Sequence, residues 1–127
     1  MTQGVSSPQG SWLTPDWDVP PNVRALSTLR GGGVSASPFA SFNLAQHVGD
    51  DPQHVHANRA LLRAAAKLPS EPLWLEQVHG SDVVENRGTA AAGLPRADAA
   101  VAFEPGRVCV VMTADCLPVL FADRAGT

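Results

Sequence analysis

Apolar and polar positions along this chain fall into short blocks that predict one helix and several brief strands. Val23-Arg24-Ala25-Leu26-Ser27-Thr28-Leu29 alternates roughly every second residue and reads as a strand that ends at Arg30-Gly31-Gly32-Gly33. From Val34 to Gly49, residues such as Ser35, Ser37, Pro38, Ser41 and Asn43 favour turns over ladders and predict a loop. Asp50-Asp51-Pro52 announces a helix. An acidic cap followed by proline satisfies the first free amides, and Ala57 to Lys67 is dense in helix formers before Pro69 stops it. Pro72 to His79 predicts a strand, Val83-Val84-Glu85 a second, and Arg87 to Arg96 a loop. Asp98 to Phe103 and Arg107 to Met112 predict a hairpin around Glu104-Pro105-Gly106, and Leu117 to Ala122 a last strand before the turn at Asp123 to Thr127.

Strands outnumber helices, so the expected fold class is α/β, a sandwich in which helices cover a mixed sheet. One helix is too little cover for such a sheet, and the fold is expected to be incomplete at its C-terminal side. Residues 1–22 are expected to be a flexible tail, the first eleven being small and polar. The 127 residues, 44% hydrophobic and 17% charged, suffice for one core and hardly for two. A net charge of -3 gives no broad positive field, which disfavours nucleic acid and anionic membrane as partners. Cys109 and Cys116 lie on one strand and its exit, too extended to reach each other, so reduced thiols and a cytoplasmic setting are expected. The N-terminus has no basic and apolar leader pattern, and no apolar run approaches a membrane span.

Candidate chemistry concentrates at Thr113-Ala114-Asp115-Cys116-Leu117-Pro118 and at Gln77-Val78-His79-Gly80. An apolar strand, Val108 to Met112, delivers a carboxylate and a thiol side by side at its end, where α/β proteins keep their reactive groups. His79 and Cys116 are soft metal ligands of the kind zinc takes. Each also has a plain structural reading: His79 as a buried strand-end histidine, Cys116 as a small buried hydrophobe, Asp115 as a turn cap. Cys116 beside Asp115 and near His79 would equally suit a thiol nucleophile with an imidazole base. Arg30-Gly31-Gly32-Gly33-Val34-Ser35 places a guanidinium, consecutive amides and a hydroxyl together, either an oxyanion cradle or a flexible turn. His47, His54 and His56 are poorly spaced for a metal, because residues two apart face apart on a helix.

Arg30-Gly31-Gly32-Gly33-Val34-Ser35, Ser41-Phe42-Asn43-Leu44, Val48-Gly49-Asp50-Asp51, Asn58-Arg59, Trp74 to Gly80, Ala97-Asp98-Ala99 and Thr113 to Val119 together resemble the YfiH-like, or laccase-domain, family. The resemblance implies an α/β sandwich with one zinc held by two histidines and a cysteine, in proteins acting on purine nucleosides. His79 and Cys116 carry over as ligands, and Asp115 or a neighbour is expected to handle proton transfer. Arg30, Ser35, Asn43 and Gln77 are expected to bind substrate, Arg30 and the glycine amides after it holding phosphate on the strength of their local chemistry. The family's third ligand lies in a segment expected beyond Thr127, so residues 23–127 are expected to be the N-terminal portion of one domain. A second chain or the remaining C-terminal half would supply that ligand. Phosphorolysis of adenosine, inosine or methylthioadenosine, with adenosine deamination, is the implied activity. Copper-dependent polyphenol oxidation, cysteine hydrolysis in cell-wall peptide editing, and an inactive isolated fragment remain alternatives. Four histidines, three of them badly spaced, suit a multicopper centre less well than a single zinc.

Overall fold

A computed structural model of the chain describes residues 4–7, 10–88 and 93–126. Residues 1–3 and 8–9 of the expected tail, 89–92 of the expected loop, and Thr127 lie outside the described residues. The chain divides into two compact units, essentially Met1–Lys67 and Leu68–Ala125.

The first unit contains β1 (Gly4–Ser7), β2 (Gly10–Leu13) and β3 (Ser27–Thr28) in one antiparallel sheet of that order. Trp12 pairs with Thr28 and Leu13 with Ser27. Two strands therefore stand where a flexible tail was expected. Side-chain composition suggested a tail, but ladder bonds use the N–H and C=O that almost every residue carries. The expected strand over Val23 to Leu29 survives only as β3. A turn in which the Val23 amide bonds the Pro20 carbonyl at 3.0 Å occupies its approach.

Helix α1 (Pro52–Ala65) forms as the sequence predicts. The Asp51 carboxylate caps it by accepting from the Gln53 amide at 2.9 Å, and Pro52 opens the first turn. Val55, Asn58, Leu62 and Ala66 form its buried stripe, the spacing of one helical face. Its end is satisfied by Arg24, whose guanidinium donates to the Ala66 carbonyl at 3.2 Å, and Lys67 turns out with a left-handed φ of 53°.

In the second unit, β4 (Val83–Glu85) and β5 (Ala99–Val101) pair in parallel, Val84 opposite Ala100. Isolated parallel bridges join Leu73 to Cys109 and Glu76 to Arg96. The segment expected as a strand from Pro72 to His79 thus lies between two neighbours, with Leu73 bonding Val108 and Glu76 bonding Pro95 and Ala97. Trp74, Leu75 and Ala97 are buried around it, the Trp74 indole donating to Glu71 at 2.8 Å.

The predicted hairpin between 98–103 and 107–112 does not form. Residues 99–101 pair with β4 instead, and Cys109 pairs with Leu73. Asn86 helps decide this: its amide bonds the Val101 carbonyl at 2.8 Å and its side chain the Val108 carbonyl at 2.9 Å, so one buried residue occupies groups of both would-be hairpin arms. Leu117 to Ala122 forms no strand either, and Leu117, Val119 and Phe121 are 86%, 62% and 90% exposed. The fold class is α/β as expected, though the described strands form two small sheets rather than one mixed sheet.

Candidate functional site

The end of a parallel pair carries the two expected metal ligands. Leu73 donates to the Val108 carbonyl at 3.0 Å, and four residues on, the Gln77 side chain takes over the role of a strand backbone. Its Nε2 donates to the Met112 carbonyl at 2.9 Å while its Oε1 accepts from the Met112 amide at 2.7 Å. The two segments run in the same direction, so His79 and Cys116 leave the pair at the same end. Gln77, expected to bind substrate, has its amide committed to this clamp.

His79, Asp115 and Cys116 are all exposed. The buried readings of His79 and Cys116 do not hold, and the desolvation cost expected of a carboxylate beside a thiol does not arise at Asp115. Cys109 and Cys116 are both free thiols; partial burial pushes the Cys109 thiol up from its ordinary range.

His79 sits at φ 60°, a left-handed conformation that side chains with a Cβ rarely adopt. Asp98, at the head of β5, holds it there. Its Oδ1 accepts from the amides of Val78 at 3.0 Å and His79 at 2.8 Å, and its Oδ2 from that of Gly80 at 2.7 Å. Hydrogen bonding, led by the Gly80 amide and joined by those of His79 and Val78, keeps the Asp98 carboxyl below the usual range against a smaller effect of burial. The sequence carried no local sign of this role, since the carboxylate and the turn it holds are about twenty residues apart.

The glycine-rich loop belongs to the first unit and is tied internally. Asn58, fully buried on α1, accepts from the Val34 amide at 2.8 Å and donates to Ser35 Oγ at 2.8 Å and to the carbonyls of Asn43 at 2.8 Å and Ser41 at 3.3 Å. Ser35 donates in turn to Asp50 Oδ2 at 2.6 Å, and Asn43 reaches the same oxygen at 3.2 Å. The Gly33 amide is spent on Ser41 Oγ at 3.1 Å and the Ser35 amide on the Ser41 carbonyl at 2.8 Å. These bonds correct the expected cradle: Ser35 and Asn43 hold the loop around a carboxylate, which would repel a phosphate. Arg30 is exposed, with only a long 3.5 Å approach to the Ala40 carbonyl. A polar Asn58 on an otherwise apolar helical stripe was the available signal for this hub.

His47 and His56 are exposed, and His54 Nδ1 stands 3.9 Å from Asp50 Oδ1. Among the described residues no three His, Cys, Asp or Glu side chains gather as a metal site. His79 and Cys116 are therefore of the right chemical type for zinc, but supply two donors where a closed tetrahedral site takes four.

Residues 24–127 match the sequence profile of the family described as multi-copper polyphenol oxidoreductase laccase. The chain belongs to that laccase family. The purine nucleoside phosphorylase YfiH of Escherichia coli is 56% identical over 115 residues, which are 91% of this chain and 47% of that protein. The purine nucleoside phosphorylase PA4543 of Pseudomonas aeruginosa is 52% identical over 117 residues, 92% of this chain and 46% of the relative. A crystal structure of the Neisseria meningitidis protein NMB0706 matches with a TM-score of 0.83 at 48% identity, covering 91% of this chain and 47% of that one. This laccase-family chain thus spans about half the length of the curated relatives it matches. Among its described residues no helix is long and apolar enough to cross a membrane.

Proposed function

We propose that this chain is part of a purine nucleoside phosphorylase in which His79 and Cys116 contribute two ligands to a zinc ion. The observation that carries the reading is the 56% identity to the Escherichia coli phosphorylase over 91% of the chain. Exposure of an imidazole and a thiol at one end of a parallel pair supports the metal assignment. The remaining donors come from the other half of the fold, in the same polypeptide or in a second one. Bound zinc would supply Lewis-acid polarisation or an activated water. Asp115, exposed beside Cys116, would carry a proton. Adenosine, inosine and methylthioadenosine are the candidate substrates, with deamination of adenosine as an accompanying reaction.

The family description favours a second reading, copper-dependent oxidation of phenols. One experiment separates them. The chain, alone and co-expressed with the remaining half of the Escherichia coli relative, is assayed with inosine and inorganic phosphate and with a phenol in air. The reading expects phosphate-dependent release of hypoxanthine and ribose 1-phosphate by the joined halves, abolished by Cys116→Ala and restored to a chelated sample by zinc. Phenol oxidation without nucleoside turnover, or turnover indifferent to Cys116→Ala, overturns it.

A further inference from the structure

We infer that Asp98 is the positioning residue of His79, fixing the turn that presents its imidazole. Three consecutive amides, Val78, His79 and Gly80, converge on one carboxylate at 3.0, 2.8 and 2.7 Å. Consecutive N–H groups pointing into one concavity form an anion nest, here filled by the protein's own side chain. The nest exists only while His79 stays left-handed at φ 60°. Without the anion the three donors lose their common acceptor, and a residue with a Cβ returns to more populated backbone regions.

Asp98 is itself held firmly. Its amide bonds the Asp82 carbonyl at 3.2 Å, the preceding Ala97 is buried and bonds Glu76 at 3.2 Å, and β5 begins at the next residue. The carboxylate is thus a fixed post against which the turn closes. A mere turn cap would stabilise the backbone anywhere; this one closes on the turn whose central side chain is the exposed imidazole. The two carboxylate oxygens divide the work, two amides on one and one on the other, which an amide side chain cannot copy, because one of its ends is a donor facing an N–H.

The metal part of the inference rests on the reading of His79 as a ligand, and the experiment keeps the two apart. Imidazole signals of the four histidines are followed by NMR in the metal-free 127-residue chain for wild type, Asp98→Asn and Asp98→Glu, and then during titration with zinc after joining to the remaining half of the Escherichia coli relative. In Asp98→Asn the His79 ring signals are expected to move toward those of a free histidine while His47, His54 and His56 stay in place; Asp98→Glu restores them in part. The zinc midpoint read at His79 is expected to rise by about tenfold to a hundredfold, and Asp98→Asn added to His79→Ala, where zinc is followed by competition with a metal-sensing dye, to cost nothing more. Unmoved His79 signals in a folded Asp98→Asn chain overturn the positioning role, as does an additive loss in the double variant. Should Asp98→Asn unfold the chain, Asp98→Glu decides: His79 signals unchanged from wild type at a lengthened side chain overturn the role, and displaced ones support it. A wild type whose His79 ignores zinc once the chain is joined to the remaining half of the Escherichia coli relative overturns the metal reading alone, while the metal-free comparison still decides for or against Asp98.

Discussion

Asp50 shows how one side chain can convert a glycine-rich loop from a binding element into a structural one. Its carboxyl is held below the usual range chiefly by the Ser35 hydroxyl, opposed by burial and aided by Asn43, the Asp51 amide and the nearby His54. A carboxyl lowered in the folded state binds its proton less readily there than in the unfolded chain. Its stabilisation is complete above the unfolded value of about 3.9 and is lost as pH falls through the folded value. Urea unfolding at pH 6 and pH 3 therefore shows a loss at the acid end that is smaller in Ser35→Ala, where the largest lowering influence is gone, and smaller again in Asp50→Asn. Equal acid losses in all three chains would assign the acid sensitivity to other carboxyls, Asp98 first among them.

At the scale of elements, legibility followed the range of the interactions that form them. Helix α1 could be read because its cap, its Pro52 and its apolar stripe are all local. The second unit could not be paired from sequence, because β5 prefers a parallel partner fourteen or more positions back to the arm that follows it, and nothing local distinguishes the two. Gln77 is the sharpest case. Its neighbours marked it as part of a site, yet its two side-chain bonds to Met112 replace a missing ladder step. Gln77→Ala should strip both partners from a half-buried backbone group, costing about 1–2 kcal/mol and speeding Met112 amide exchange by roughly tenfold. Gln77→Glu retains an acceptor for the Met112 amide and should fall between. Exchange at Met112 indifferent to both substitutions would mean that the clamp does not hold the pair together.

At the scale of the whole molecule, the candidate site was legible as residue types and incomplete as geometry. His79 and Cys116 stand out in the sequence as candidates through their motifs, while Asp98 and the Asn58 hub act across distances that spacing does not encode. The segment Leu117 to Ala122 has the same cause on a larger scale: its short continuous apolar run is consistent with a strand, but a strand also needs a neighbour for its backbone, and none pairs with it among the described residues. Its side chains instead give the chain an exposed apolar patch beside Cys116, with Leu117 and Phe121 86% and 90% exposed. Exposed residues contribute little to the stability of the chain that carries them, so Leu117→Lys with Phe121→Lys should change the unfolding free energy by less than about 0.5 kcal/mol each. The same pair of substitutions should suppress concentration-dependent association of the isolated chain, measured by sedimentation, and should impair its joining to the remaining half of a relative. A loss of about 2 kcal/mol or more in the isolated chain would show that the segment already packs on its own unit, and the apolar run would then be a core segment rather than a surface awaiting a strand.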